Sequence, residues 1–345
     1  MTRMVGLQKM QNAIGELKIF AGNASQDLAH AIVEKLSAKA EYSGIKMGNA
    51  EARMFSDSEC DIRVLETVRG MDVFIVQSIA PSATRSSNDH LMELLIMIDA
   101  MRRSSAGRIT AVVPYLGYAR QDRRDRSHAP ISAKLVADMI TVAGANRILT
   151  MDLHSPQVQG FFNIPFDHLS GVYSFINYYS RTGYDLKGTY AVVSPDFGSV
   201  ARSSIIAEKL EIPLAIIEKR RNSEGEPYVH NFVGDVRGKN VIILDDVIAS
   251  GGSLREVTAR LIKEDAKDIY ACITHPMLTG NAMEEIENSP IKEFIVLDTI
   301  AIPEEKRHKK LLRLSVAQLF SDAISGIHSH ESIGKLAHES IPELL

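Results

Sequence analysis

Short apolar runs alternate with longer amphipathic stretches along nearly the whole chain. The runs at residues 72–77, 109–113, 148–151, 190–193, 214–217, 241–244, 269–273 and 294–297 are rich in Val and Ile and too short for helices, which predicts buried strands. Between them, apolar residues recur at helical spacing over 27–40, 89–103, 131–143, 199–210 and 254–263, which predicts helices. This alternation implies an α/β fold, each sheet mostly parallel and flanked by helices on both faces. Both halves repeat the same grammar, which admits a duplicated fold. A domain break is expected near 166–172, after the turn at Asn163-Ile164-Pro165. Ligands in such sheets gather at the carboxyl ends of strands, and the polar residues that interrupt the pattern fall there.

The most informative interruption follows the apolar run 241–244. Two adjacent carboxylates, Asp245 and Asp246, lead into a loop of small residues from Ala249 to Ser253, and then a helix. Glycines let backbone N–H groups approach a phosphate, and the helix N-terminus favours the negative charge. Two carboxylates beside that site would repel a nucleotide's phosphates but suit sugar hydroxyls or a bridging divalent cation. Phosphate on one side and hydroxyls on the other describe a sugar phosphate. The competing view is an ordinary strand–turn–helix with surface acids.

Four further constellations carry candidate chemistry. The stretch 118–130 places Arg120, Arg123, Arg124 and Arg126 in a loop that ends at Pro130, where guanidinium forks could clamp polyphosphate or merely be solvated. His154, at the end of the run 148–151, could bind a metal, act as a base, touch phosphate or serve structure alone. Asp196, at the end of 190–193, could hold a cation or hydroxyl, or cap the next helix. Lys219, Arg220 and Arg221 follow the run 214–217 and suit a basic loop that closes over developing charge. Phe55, with Asp57 and Glu59, could stack on a base and accept from its amino group.

Composition narrows the field. With 345 residues, 45% of them hydrophobic, the chain can form two domains with their own cores. A net charge of −4 gives no electrostatic footprint for nucleic acid or a membrane surface. Cys60 and Cys272 stand alone, so neither a disulfide framework nor a zinc spacing exists and a reducing cytoplasm is expected. Residues 1–14 lack the apolar core of a secretory leader, and no run reaches the roughly 20 apolar residues of a membrane span.

Taken in order, these motifs resemble those of the ribose-phosphate pyrophosphokinases, also called phosphoribosyl pyrophosphate synthetases. The resemblance runs from about Leu17 to Ile333. It rests on FSDSE from Phe55, MELLIMIDA from Met92, YARQDRRDRSHAPISAKL from Tyr118, MDLHSPQVQGFF from Met151, VSPDFGS from Val193, EKRR from Glu218 and LDDVIASGGS from Leu244, with THPMLTG from Thr274 and IPEEK from Ile302.

The resemblance implies transfer of the diphosphate of ATP to the 1-hydroxyl of ribose 5-phosphate, releasing AMP and feeding nucleotide biosynthesis. It implies two similar phosphoribosyltransferase-like domains, at 16–168 and 169–335, between tails at 1–15 and 336–345. Adenine would lie on Phe55 with Asp57 and Glu59 from a neighbouring subunit, and Arg120, Gln121 and His154 would hold the nucleotide. Asp245 and Asp246 would face the ribose hydroxyls, and Ser250, Gly251, Gly252 and Ser253 the 5-phosphate. His154, Asp196, Asp245 and Asp246 would meet Mg2+, while Lys219 and Arg221, with His154, would act on the transferred group. A cytoplasmic homo-oligomer, a hexamer in the family, is implied.

The chain also departs from the common pattern. Ala249 stands for an aspartate, Ser250 and Ser253 for threonines, Ser58 and Ser199 for glycines, and His128 for an arginine. Segment 79–88 is longer than usual, and Ser332-Ile333-Gly334 replaces Ser-Val-Ser. Arg69 and Ser105 match the family's phosphate and ADP regulatory site, whereas His128 and Gly334 do not. Ala249 motivates the alternative of a non-catalytic, synthetase-associated regulatory subunit. A phosphoribosyltransferase sharing only the acidic loop would leave the amino-terminal motifs unexplained.

Overall fold

The structure, a computed structural model, describes residues 15–221 and 227–334; for 219–221 and 227–230 it describes the backbone alone. The expected tails lie outside these residues except Gly15, whose N–H already donates to Gly70 O at 2.9 Å. The chain divides into two compact units, Met1–Leu169 with Ala317–Ala337, and Ser170–Val316 with His338–Leu345.

In the first unit the chain runs β1 (Leu17–Ala21), α1 (Gln26–Ser37), the hairpin β2 (Ala50–Met54) and β3 (Cys60–Val64), then β4 (Asp72–Val76) and α2 (Ser87–Arg103). It continues through β5 (Arg108–Val113), α3 (Ser132–Ala143), β6 (Arg147–Met151) and β7 (Phe166–Leu169). The sheet has order β1-β4-β5-β6-β7 and every pair in it is parallel. Helices cover both faces of such a sheet, which is why β4 reads Asp-Val-Phe-Ile-Val and is buried throughout. Ile75, Ile98, Val113, Ile140 and Ile148 pack in its core. The hairpin β2–β3 forms its own antiparallel pair outside this sheet.

Helix α2 starts sharply because Ser86 and Asp89 make a reciprocal capping box. Within the long 79–88 segment, Arg85 reaches the fully buried Glu93. Asn23 donates to the same carboxylate through its backbone N–H at 2.6 Å and Nδ2 at 3.0 Å. Burial alone would raise the Glu93 carboxyl; hydrogen bonds from His90 and Asn23 and the Arg85 charge hold it below the usual glutamate value.

The second unit holds α4 (Val172–Arg181), β8 (Tyr190–Ser194), α5 (Val200–Leu210), β9 (Leu214–Arg221), β10 (Pro227–Val233), β11 (Asn240–Ile248) and α6 (Gly252–Lys263). After these come β12 (Ile269–Pro276), α7 (Ala282–Glu287), β13 (Ile291–Leu297) and β14 (Leu311–Leu314). Its sheet has order β10-β9-β8-β11-β12-β13-β14, parallel except for the β10–β9 pair. Val193, Ile217, Ile243, Val257 and Phe294 fill its core.

Helix α8 (Ala317–Ser329) returns to the first unit. The expectation of a second domain ending at 335 therefore differs from the fold, in which that unit's sheet ends at β14. Polar contacts explain the return. Arg108 Nη2 donates to Ile327 O at 3.0 Å, and His328 Nδ1 lies 2.8 Å from the buried Asp72 carboxylate. Lys39 pairs with Asp322 at 2.9 Å.

Three strands outrun their apolar cores: β9 continues to Arg221, β11 to Ile248 and β12 to Pro276. Polar residues at their carboxyl ends stay paired in the sheet, as Asp245 is opposite Ile273 and Lys219 opposite Val229, and Asp246, Thr274 and His275 are buried as well.

Candidate active site

In the second sheet β8 has β9 on one side and β11 on the other, so the winding direction reverses between β8 and β11. Crevices at the carboxyl ends of strands at such a reversal are the usual ligand sites of open α/β sheets. Here the end of β8 leads to Asp196 and β11 carries Asp245 and Asp246.

The chain beyond β8 folds back on itself. Ser194 Oγ donates to Asp196 O at 2.7 Å, and Asp196 Oδ1 accepts the Ser199 N–H at 3.0 Å just before α5. The helix-capping alternative for Asp196 is not realised: Ser199 occupies the N-cap position without a side-chain cap, and Asp196 closes the turn before it. The buried Ser199 also turns its Oγ toward Asp245 Oδ1 at 3.4 Å, which accepts the Asp246 N–H at 2.9 Å as well. Asp246 is buried, and Arg202 Nη2 of α5 lies 3.7 Å from its Oδ1. One short segment, 196–202, therefore touches all three carboxylates.

The small-residue loop turns at Gly251, whose φ of +84° lies in the left-handed region. A Cβ there would also press to 3.3 Å from Glu285 Cβ on α7. Helix α6 begins at the next residue and no side chain caps it, so its first turn presents backbone donors to an anion. Ser250 and Ser253 are exposed beside this turn. Ala249 contributes through its backbone, its carbonyl accepting the Thr279 N–H at 2.9 Å, and the loop holds its shape without an acid there.

Lys219 and Arg221 sit on β9, the other neighbour of β8, with backbones paired to Val229 and Pro227. The expectation of a loop at these residues is corrected: β10 returns antiparallel and extends the strand through them. Their side chains, and residues 222–226, lie outside the described residues.

The first unit assembles the other candidates. Residues 118–131 form no helix or strand, and Arg120, Arg123, Arg124 and Arg126 are exposed. Gln121 fastens the loop to α3, its Oε1 accepting Ser132 Oγ at 2.5 Å and its carbonyl the Ala133 N–H at 3.2 Å. Asp122 accepts Ser155 Oγ at 2.6 Å, which ties this loop to the turn carrying the exposed His154. His168 Nε2 accepts the Leu153 N–H at 2.9 Å and fixes the same turn.

Phe55 is 56% exposed at the tip of the β2–β3 hairpin, with Asp57 and Glu59 also exposed. The tip closes by Phe55 N–H to Glu59 O at 2.8 Å and Ser58 N–H to Phe55 O at 3.0 Å. Ser58 takes φ +71°, where glycine is relaxed. Cys60 beside it is no nucleophile at neutral pH, because burial and then Glu93 push its thiol up to about 11. Arg69 and Ser105 meet in the same unit: Arg69 bridges to Ala106, and Gly70 N–H donates to Ser105 O at 2.8 Å.

Among the described residues no three His, Cys, Asp or Glu side chains form a ready metal cluster. Of the expected ligands, His154 belongs to the first unit and Asp196, Asp245 and Asp246 to the second, where Asp196 and Asp245 are already engaged with N–H and O–H donors. Sequence reasoning missed Ser199 and Arg202 as partners of the acids. A serine before a helix and a cation in its first turn read as capping and solvation.

Residues 17–144 match the family model described as the N-terminal domain of ribose phosphate pyrophosphokinase. Residues 218–338 match the phosphoribosyl synthetase-associated domain. The ribose-phosphate pyrophosphokinase of Clostridium tetani is 49% identical over 93% of this chain and 97% of its own. That of Caldanaerobacter subterraneus is 48% identical over 95% and 99%. A crystal structure of phosphoribosylpyrophosphate synthetase from Mycobacterium smegmatis superposes with a TM-score of 0.82 at 38% identity, covering 92% of this chain and all of that one.

Proposed function

The chain belongs to the ribose-phosphate pyrophosphokinase family, and from that membership we propose that it transfers the diphosphate of ATP to the 1-hydroxyl of ribose 5-phosphate. The sugar oxygen attacks the β-phosphorus, the bond from the β-phosphorus to the oxygen it shares with the α-phosphorus breaks, and AMP leaves carrying that oxygen while the hydroxyl gives up its proton. The products are 5-phospho-α-D-ribose 1-diphosphate and AMP.

One observation carries the sugar side: the acid pair and an uncapped helix start meet at the reversal of the second sheet. The backbone donors of Gly251, Gly252 and Ser253, with the Ser250 and Ser253 hydroxyls, receive the 5-phosphate. Asp245 and Asp246 accept the ribose hydroxyls. Lys219 and Arg221 neutralise charge that grows on the diphosphate in the transition state. On the nucleotide side, adenine stacks on Phe55 with Asp57 and Glu59 as acceptors, and Arg120, Gln121 and His154 hold the phosphates and ribose. An aromatic so exposed on a hairpin suits use by a second copy of the chain, which supports a homo-oligomer such as a hexamer.

The donor set fits magnesium: Asp196, Asp245 and Asp246 offer hard oxygens, and Mg2+ ordinarily takes one or two carboxylates with water and substrate oxygens rather than a closed protein cage. Bound with the substrates, it would offset charge on the transferring diphosphate. Among the described residues no helix is long and apolar enough to cross a membrane, and the reaction's place in nucleotide supply supports a cytoplasmic setting. Arg69 and Ser105 supply part of an anion-responsive site, while His128 and Gly334 alter the remainder.

The test is AMP formation by purified protein with ATP, ribose 5-phosphate and magnesium, with and without inorganic phosphate. Sugar-dependent AMP is expected in both conditions if the altered residues have relaxed phosphate control, and only with phosphate if they have not. No AMP in either would sink the enzymatic reading and revive the regulatory-subunit alternative.

A further inference from the structure

The start of α5 makes contacts that the reaction chemistry does not by itself require. Arg202 is only 15% exposed in its side chain and stands 3.7 Å from Asp246. Its Nη1 is buried and has no hydrogen-bond partner among the described residues. Leaving such a donor unsatisfied is costly, the more so when the group is charged. That donor is satisfied if the guanidinium moves so that the Asp246 carboxylate, now 3.7 Å from Nη2, accepts from both Nη atoms in the working state. Ser199 adds a second constraint, since one residue engages Asp196 through its N–H and Asp245 through its hydroxyl.

We infer that Ser199 and Arg202 are positioning residues that aim the Asp245–Asp246 pair at the sugar hydroxyls, so that affinity for ribose 5-phosphate depends on the start of α5. The inference rests on the sugar site proposed above. Two points favour positioning over a purely structural role. An ion pair that served packing alone would be closed, whereas Arg202 stands 3.7 Å from Asp246, at the carboxyl end of β11. Ser199 stands where the family resemblance expects glycine, so the Asp245 contact is made by a side chain that relatives of the common type lack.

Calorimetric titration of ribose 5-phosphate into the full chain, with magnesium and α,β-methylene-ATP present to prevent turnover, reads sugar affinity alone. Arg202→Met should weaken it about 10-fold, Arg202→Lys about 3-fold because a point charge replaces a fork, and Ser199→Ala about 3-fold. In turnover assays the same variants should raise the KM for the sugar and leave that for ATP within about 2-fold. In an Asp246→Asn background the Arg202→Met effect should largely vanish, as residues acting through one contact are not additive. Sugar affinities unchanged in the folded variants, or an undiminished Arg202→Met effect without Asp246, would overturn the inference. If Arg202→Met does not fold, Arg202→Lys and Ser199→Ala decide it, with wild-type affinity in both counting against. Absence of sugar-dependent AMP in the wild-type chain would instead be failure of the functional reading.

Discussion

Gly251 concentrates several demands in one residue. Its φ of +84° excludes a relaxed L side chain, and the 3.3 Å approach of Glu285 Cβ leaves little room for one. Gly251→Ala should cost about 1–2 kcal/mol of stability and weaken sugar-phosphate binding, because the phosphate-facing donors begin there. Thermal melting and ribose 5-phosphate titration read the two effects separately; a variant equal to wild type in both would remove Gly251 from the site. Lys219→Ala should lower turnover more than sugar affinity, since its contact strengthens as charge develops. At this scale the sequence was most readable where chemistry and position coincide, as in Asp245, Asp246 and the glycines. It was least readable where a residue acts through another. Arg202 lies in a helical stretch that looks like any solvated first turn, and only the fold brings it beside Asp246.

Strands and helices show a different limit. The apolar runs located the core strands, yet β9, β11 and β12 run on into polar residues because neighbouring strands continue to pair with them. Short or marginal elements such as β7 and the β2–β3 hairpin lack an apolar run and depend on a partner strand or turn. Helix α8 is held by a buried cluster rather than by its apolar stripe alone. Arg108 Nε donates to Asp72 Oδ1 at 2.8 Å, and His328 Nδ1 carries the proton it shares with the other carboxylate oxygen at 2.8 Å. Burial would raise the Asp72 carboxyl, but the hydrogen bonds and charges of His328 and Arg108 hold it below the ordinary aspartate value. A lowered folded-state value stabilises the fold above the unfolded value of about 4 and ceases to do so as pH falls through the folded one. Acid unfolding followed by circular dichroism should therefore be less steep in Asp72→Asn than in the wild type. Arg108→Ala should destabilise by about 3 kcal/mol or more, since it strands a buried carboxylate. Matching acid profiles for Asp72→Asn and wild type would show that the cluster is not the titrating element.

At the scale of the molecule, two sheets built on the same principle divide the candidate residues between two compact units. Their alternating pattern was legible because each parallel sheet is buried on both faces and so writes itself as unbroken apolar runs. The crossing of chain and unit boundaries was not, because nothing in the stripe of α8 says which surface it covers. Ending the chain after Val316 should leave the first unit less stable, with Asp72 deprived of His328, and a lower melting transition should report it.

That return of α8 has a consequence for synthesis. The ribosome releases β1 to β7 long before it reaches Ala317, so the first unit to emerge cannot be the first to finish. Until α8 arrives, the nascent chain carries an open apolar flank and an aspartate without one of its two side-chain partners. Domain-by-domain maturation is thus closed to this protein, and a premature stop near the end damages the part that was made first.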